Sequence, residues 1–188
     1  MKPFSLRTFP DPILRKKTQA ITVFDRSLLK LVAALVRVMK SQPYGIGIAA
    51  PQIGVAKAVA IVDVSKRDLK AKRLILVNPV ILEKKEPEGR KEGCMSFPDY
   101  TAFLKRHRWV RFRWQNERGE FFEKISTGIE AICVEHEVDH LEGVLFIDHV
   151  TCLKTDLFPR SSINKKTGDR DLVFEPGRGL SFVKRRFF

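Results

Sequence analysis

Two histidines four positions apart, His136 and His140, flank Glu137 in the run Ile132-Cys133-Val134-Glu135-His136-Glu137-Val138-Asp139-His140-Leu141-Glu142-Gly143. On a helix, residues four apart share a face, one turn above the other. Two imidazoles so placed can grip a single metal ion. Glu137 is rotated about 100° from His136 by the 3.6-residue turn. It can therefore stand beside an ion without ligating it, where a general base for a water molecule belongs. A solvated surface helix rich in Glu and His would produce the same three fixed positions. The neighbours weigh against that alternative. Ile132, Cys133, Val134, Val138 and Leu141 make the helix apolar and largely buried, and buried ionisable groups need partners or a metal.

A catalytic site of this kind takes three protein ligands and keeps one position open. Cys133 lies seven residues from His140, about 10 Å along a helix that rises 1.5 Å per residue. Ligand bonds of about 2 Å do not span that gap, so the third donor comes from elsewhere in the chain. Cys94, within Glu92-Gly93-Cys94-Met95-Ser96-Phe97-Pro98, is a candidate thiolate; a free cysteine also serves as a small core residue. His149 is the one histidine C-terminal to the helix, the side on which H-E-x-x-H zinc proteases normally find their third ligand. A second small-residue stretch, Gly45-Ile46-Gly47-Ile48-Ala49-Ala50-Pro51-Gln52-Ile53-Gly54, carries a single polar side chain, Gln52. Its glycines let a backbone approach a ligand closely. The third glycine of a nucleotide loop is missing and Pro51 spoils the helix start. A backbone wall for an extended peptide, with Gln52 as hydrogen-bond donor, fits better; the alternative is a tightly packed core turn.

The elements that must hold these groups follow from patterning. Asp25 caps a helix over about 26–42, with Leu28, Leu31, Val32, Leu35 and Met39 at helical spacing and Pro43 as the stop. Residues 58–64 and 74–77 read as strands; Asn78-Pro79 interrupts, 80–82 resumes, and 83–91, with Pro87 and Gly89, reads as a charged loop. Residues 109–114 and 120–125 flank turn chemistry at 116–119 and make a hairpin. Its alternating arginines and aromatics suit single-stranded nucleic acid or, more simply, one core face and one solvated face. Thr127 caps the histidine helix, which runs to about Leu141 and ends at Gly143. Residues 144–147 read as a short strand. Strands before and after one central helix give an α+β fold with antiparallel pairing.

The chain has 188 residues, 44% hydrophobic and 30% charged, which fits one globular domain with a real core. No apolar run approaches the ~20 residues of a membrane span, and the N-terminus lacks the apolar centre of a signal peptide. Three cysteines, an odd number, do not suggest a disulfide framework; a reducing, cytoplasmic interior is expected. The net charge of +13 favours anionic partners such as ribosomal RNA or acidic lipids, or marks a merely soluble basic surface. Residues 151–188 change character, with nine Lys/Arg against four Asp/Glu and no convincing helix. Short strands are expected at 172–174 and 180–183. The boundary is set at 150, separating a domain over 1–150 from a basic extension over 151–188.

Three segments stand together in order: Gly45-Ile46-Gly47-Ile48-Ala49-Ala50-Pro51-Gln52, Glu92-Gly93-Cys94-Met95-Ser96, and His136-Glu137-x-Asp139-His140. The set resembles the bacterial peptide deformylase family, over about residues 3–150. The resemblance implies an α+β fold in which antiparallel sheets surround a central helix carrying the histidines, with the N-terminal helix packed outside. It implies a metallohydrolase that removes the formyl group from the N-terminal methionine of new polypeptides. Cys94, His136 and His140 then look like the metal ligands. The ion is Fe²⁺ natively, with Zn²⁺, Ni²⁺ or Co²⁺ able to take its place. Glu137 looks like the general base, and Gln52 and the Met95 backbone N–H like the oxyanion donors. Gly47 and Gly93 line the substrate backbone; Ile46, Ile129, Ile132 and Cys133 form the methionine pocket.

Implied partners are N-formylmethionyl nascent peptides and, through the basic surface or tail, the ribosome; no membrane is involved and the chain is expected to be a monomer. Four features depart from the family pattern. Glu135 stands where Gln is usual, an added carboxylate that shifts neighbouring pKa values if it points inward. Met95 stands where Leu is common, and Thr101 replaces an arginine of some members. The long C-terminal helix with which many members dock on the ribosome has no counterpart here. Two other classes fit the residues: a metal hydrolase of altered substrate, with His149 as third ligand, and a basic RNA-binding module whose metal is structural.

Overall fold

The computed structural model describes residues 4–160. Two long helices and six strands build it. Helix α1, Arg26–Lys40, starts where Asp25 accepts the backbone N–H groups of Ser27 (2.8 Å) and Leu28 (3.3 Å), satisfying amides that have no partner inside the helix. Its buried stripe, Leu28, Leu31, Val32, Leu35, Val38 and Met39, recurs every three to four residues and packs on β1 (Gly47–Ala49) and β2 (Val59–Val62). Between those strands the chain makes a 3₁₀ turn, Ala50–Ile53, all of it buried.

The sheet is antiparallel and continuous, in the order β1-β2-β3-β4-β5, with β6 (Leu157–Pro159) also on β4. Where several sheets were expected, the described strands form one. Its spine is the pair β3, Leu74–Gly93, and β4, Tyr100–Gln115, matched from Val77↔Gln115 to Gly93↔Thr101. β5, Phe121–Thr127, takes the other edge of β4 at Trp109–Gln115, and β6 takes the same edge further along, at Tyr100–Ala102. Residues 151–160 therefore continue the fold, through one helical turn at Leu153–Asp156 and then β6. The strands expected at 172–174 and 180–183 lie outside the described residues. No helix of the described residues is long and apolar enough to cross a membrane.

Three local expectations are corrected. The charged stretch 83–91 is strand, not loop. It holds its place through cross-strand partners invisible in its own composition, including Glu83–Arg111, Glu88–Arg108 and Lys85 stacked over Trp109 at 4.7 Å. The break expected at Asn78-Pro79 is a bulge inside the same strand. Asn78 adopts φ 51°, and its side chain ties Ile21 N–H, Ile21 C=O and Gln115, each at 2.8 Å. Residues 144–147 hold no strand either. Phe146–His149 is a 3₁₀ turn, with the Asp148 carboxylate accepting the Leu145 N–H at 2.8 Å.

Helix α2, Gly128–Glu142, carries both histidines. Thr127 occupies its N-cap position without a side-chain capping bond, and Gly143 closes it at φ 75°, a left-handed conformation that favours glycine. A Cβ there would also meet the Arg15 carbonyl oxygen at 2.5 Å. α2 packs against β4, β2, β1 and β5. Its polar residues are buried on more than one side, Glu130, Glu135, Glu137 and His140 among them. Such a helix must find each of those groups a partner.

Candidate metal and hydrolytic site

The ligand atoms of Cys94, His136 and His140 all lie within 4.8 Å of one another. Cys94 ends β3 just beyond Gly93; the histidines come from one face of α2. The Cys94 Sγ stands 3.2 Å from His140 Nε2, and the two imidazole rings lie 4.8 Å apart, nearly perpendicular. Burial alone would push the Cys94 thiol up, but His140 and His136 outweigh it and bring it down to about 5. A ready thiolate with two imidazoles is a donor set suited to a borderline divalent ion, so the residues fit a metal. Cys133, excluded by spacing, faces another way: its thiol donates toward the Ile46 carbonyl at 3.4 Å, and burial holds its pKa well above the usual value.

Behind the histidines lies a charge network that sequence reading missed. Glu92 accepts from His136 Nδ1 at 2.5 Å, fixing that ring's orientation. Glu92 is itself gripped by both Nε and Nη2 of Arg106 at 2.9 Å. Arg106 is fully buried and also donates to Asp139 at 2.5 Å. Asp139 in turn holds His149 at 2.8 Å. His149 thus belongs to this outer network, outside the Cys94–His136–His140 group. Burial opposes ionisation of Glu92, but His136 and Arg106 prevail and keep its carboxyl well below the usual range. The available signal was modest: an acid directly before Gly93-Cys94, and an arginine inside an otherwise alternating strand.

The group opens onto a cavity of about 400 Å³ lined by Glu137, Gln52, Met95, Ile46, Gly47, Gly93, Ile129, Ile132 and Cys133. Every expected base, oxyanion-donor and substrate-pocket residue meets there. The Glu137 carboxyl is buried, its Oε2 has no hydrogen-bond partner among the described residues, and burial pushes it up to about 7. A base poised near neutrality can both take and return a proton. Gln52 accepts the Ala49 N–H through Oε1 at 2.9 Å, which turns its Nε2 toward Ser96 Oγ (3.1 Å) and Cys94 Sγ (3.5 Å). Its N–H groups are therefore presented at the site. Glu135 points away from the cavity, to the His107 N–H (3.0 Å) and Lys84 (3.1 Å). Thr101 lines the cavity with a buried hydroxyl that has no hydrogen-bond partner among the described residues.

An α+β frame that brings a thiolate, two imidazoles, a buried carboxyl near neutrality and an oriented amide onto one cavity points to a metal-dependent hydrolase. The polypeptide deformylase sequence model matches residues 3–156. The peptide deformylase of Desulfotalea psychrophila is 42% identical over 154 residues, covering 81% of this chain and 90% of its own length; that of Heliobacterium modesticaldum is 40% identical, covering 80% and 95%. The crystal structure of Thermotoga maritima peptide deformylase superposes with a TM-score of 0.73 at 35% identity, over 81% of this chain and 100% of its own. The Synechococcus elongatus enzyme in complex with actinonin gives 0.74 at 32% identity, over 81% of each chain. This chain belongs to the polypeptide deformylase family. It is an enzyme of protein biosynthesis that removes the N-formyl group from nascent formylmethionyl peptides.

Proposed function

We propose that Cys94, His136 and His140 hold one divalent ion, Fe²⁺ natively with Zn²⁺, Ni²⁺ or Co²⁺ able to replace it, and that Glu137, Gln52 and Met95 perform deformylation. The observation that carries this reading is the convergence of three donor atoms within 4.8 Å beside the cavity that Glu137 and Gln52 line. When bound, the ion supplies Lewis-acid polarisation and makes water a better nucleophile at neutral pH. Glu137 takes a proton from the attacking water, which adds to the formyl carbon. The oxyanion that forms is met by the Gln52 side-chain N–H and the Met95 backbone N–H. Glu137 then returns the proton to the leaving amine nitrogen as the C–N bond breaks, and formate departs. Gly47 and Gly93 let the peptide backbone lie close. Ile46, Ile129, Ile132 and Cys133 enclose the methionine side chain, whose thioether suits a soft apolar wall.

On this reading α2 is the central helix about which the sheet curls, with α1 outside, and residues 1–150 are the catalytic domain, completed by β6 on the edge of β4. The chain works as a cytoplasmic monomer. The basic extension over 151–188 reaches ribosomal RNA; residues 161–188 of it lie outside the described residues. Deleting 161–188 should weaken ribosome binding in a salt-dependent way, and unchanged affinity would refute that role.

The deciding experiment measures formate release from a formylmethionyl peptide, with oxygen excluded and metal content assayed in the same sample. Turnover with about one ion per chain is expected. Cys94→Ala and His136→Ala should lose the ion and His149→Ala should retain it. The reverse would overturn the ligand set.

A further inference from the structure

A substrate backbone lying on Gly93 and the guanidinium of Arg160 require the same space. A Cβ built on Gly93 would overlap Arg160 Nη2, so the guanidinium already fills the volume that the missing side chain leaves open. Both residues line the cavity, and Gly93 adjoins Cys94 of the donor group. Non-bonded heavy atoms pack at about 3.5–4.0 Å, so a peptide chain and the guanidinium exclude one another there.

The sheet places Arg160 there. Phe158 pairs with Thr101, and Thr101 pairs with Gly93, so β6, β4 and β3 step towards the site. Leu157 anchors β6 in the core, the Phe158 ring takes the Lys91 ammonium at 5.1 Å, and the Arg160 N–H donates to the Asp99 carbonyl at 2.7 Å. The strand is thus held through its backbone and its core side. The group over Gly93 is the far end of a long side chain, which can change rotamer without breaking β6.

Thr101 marks the same wall as a covered binding surface. Its hydroxyl is buried and has no hydrogen-bond partner among the described residues, although buried hydroxyls nearly always find one. It lines the cavity, and its methyl group stands on the Gly93 side. A peptide lying along that wall brings N–H and C=O groups that can satisfy it.

We propose that Arg160 is an autoinhibitory gate: its guanidinium covers Gly93 in the free enzyme, and a formylmethionyl peptide binds only when that side chain swings off. The proposal rests on the deformylase reading, which lays the substrate on Gly93. A gate of this kind lowers apparent affinity by the fraction of molecules in which it stands open. It leaves the chemical step alone, because Glu137, Gln52 and the donor group keep their places whichever way the arginine points.

The test uses the full-length, metal-loaded enzyme. Arg160→Ala removes the covering group and keeps the backbone of β6. KM for formyl-Met-Ala-Ser should fall roughly tenfold, the gain if the gate stands open in about a tenth of the molecules, with the change carried by KM and not by kcat. A crystal structure of the wild-type enzyme with the product peptide Met-Ala-Ser reads the gate directly: the guanidinium should lie off Gly93. The melting temperature of Arg160→Ala reports any loosening of β6, and where that loosening is large the wild-type crystal structure decides. A KM that rises in Arg160→Ala would make the guanidinium a substrate contact, and an unchanged KM would make it a bystander. A peptide seated on Gly93 with the guanidinium still in place would remove the competition for space. Each of these results would overturn the gate while formate release left the deformylase reading intact. No formate from the wild-type enzyme would overturn both.

Discussion

Gly47 lies so close to Glu137 that a Cβ at position 47 would stand 2.3 Å from Oε1 and 2.6 Å from the Cys133 sulfur. β1 and α2 meet there without room for a methyl group. On the proposed reading the glycine does two things at once: it clears the cavity wall for a peptide backbone, and it sets where the carboxyl of the base can sit. Gly47→Ala should displace Glu137 and overpack the contact, costing about 1–3 kcal/mol of stability. Because base geometry controls proton transfer, kcat should fall roughly a hundredfold while the metal stays bound. Crystallographic placement of Glu137 with kcat and metal content would check this; an unchanged kcat would show that the carboxyl is not held from this side.

Glu137→Gln separates ligation from proton transfer. The amide keeps the size of the side chain but cannot accept the proton. Loss of kcat by about 10²–10⁴-fold is expected, the usual worth of a general base, with near-stoichiometric metal. Formate release at the wild-type rate would remove Glu137 from the mechanism.

Arg106 joins Glu92, behind His136, to Asp139, and is fully buried. Arg106→Leu would leave two partly buried carboxylates, Glu92 and Asp139, without their counter-charge. The expected cost is about 3–5 kcal/mol, or roughly 6–20 °C in Tm for a chain of this size. Metal affinity should weaken as well, by roughly 10–100-fold, because Glu92 would no longer hold His136 in one orientation. Thermal melts and competitive chelation measure the two effects separately. A drop in Tm without any change in affinity would make Arg106 a purely structural residue.

The helices were legible because their signals are local. Leu28, Leu35 and Met39 fall on one face behind the Asp25 cap, and His136 and His140 lie one turn apart. α1 ends at Lys40, within two residues of the expected stop, which is the ordinary uncertainty of a helix end. The 83–91 stretch was not legible, because its strand pairing depends on residues such as His107 and Arg111 that are distant in sequence. A charged run with Pro87 and Gly89 satisfies turn rules equally well until that partner is known. The site divides along the same line. His136, Glu137 and His140 announce themselves by spacing, whereas Arg106 and Arg160 reach the site only through strand register.

Glu135 tests whether an unusual carboxylate next to His136 belongs to the chemistry. It turns to the opposite side of α2, where Oε2 accepts the His107 N–H at 3.0 Å and Oε1 accepts from Lys84 at 3.1 Å. Arg106 Nη1 stands 3.9 Å away. His107 Nδ1 stands 3.2 Å from Oε1 as well, so four groups surround one buried carboxylate, and none of them lines the cavity. Glu135→Gln would keep a hydrogen-bond acceptor for the His107 N–H while removing the charge that Lys84 meets. Stability should drop by about 1–3 kcal/mol, the range for a buried hydrogen bond to a charged group. The effect should shrink with salt to the extent that half-exposed Lys84 carries it. The pH–rate profile of formate release should stay in place, since Glu135 faces away from Glu137. A displaced profile would mean that its charge reaches the reacting centre through His136, and the outward orientation would then be no protection.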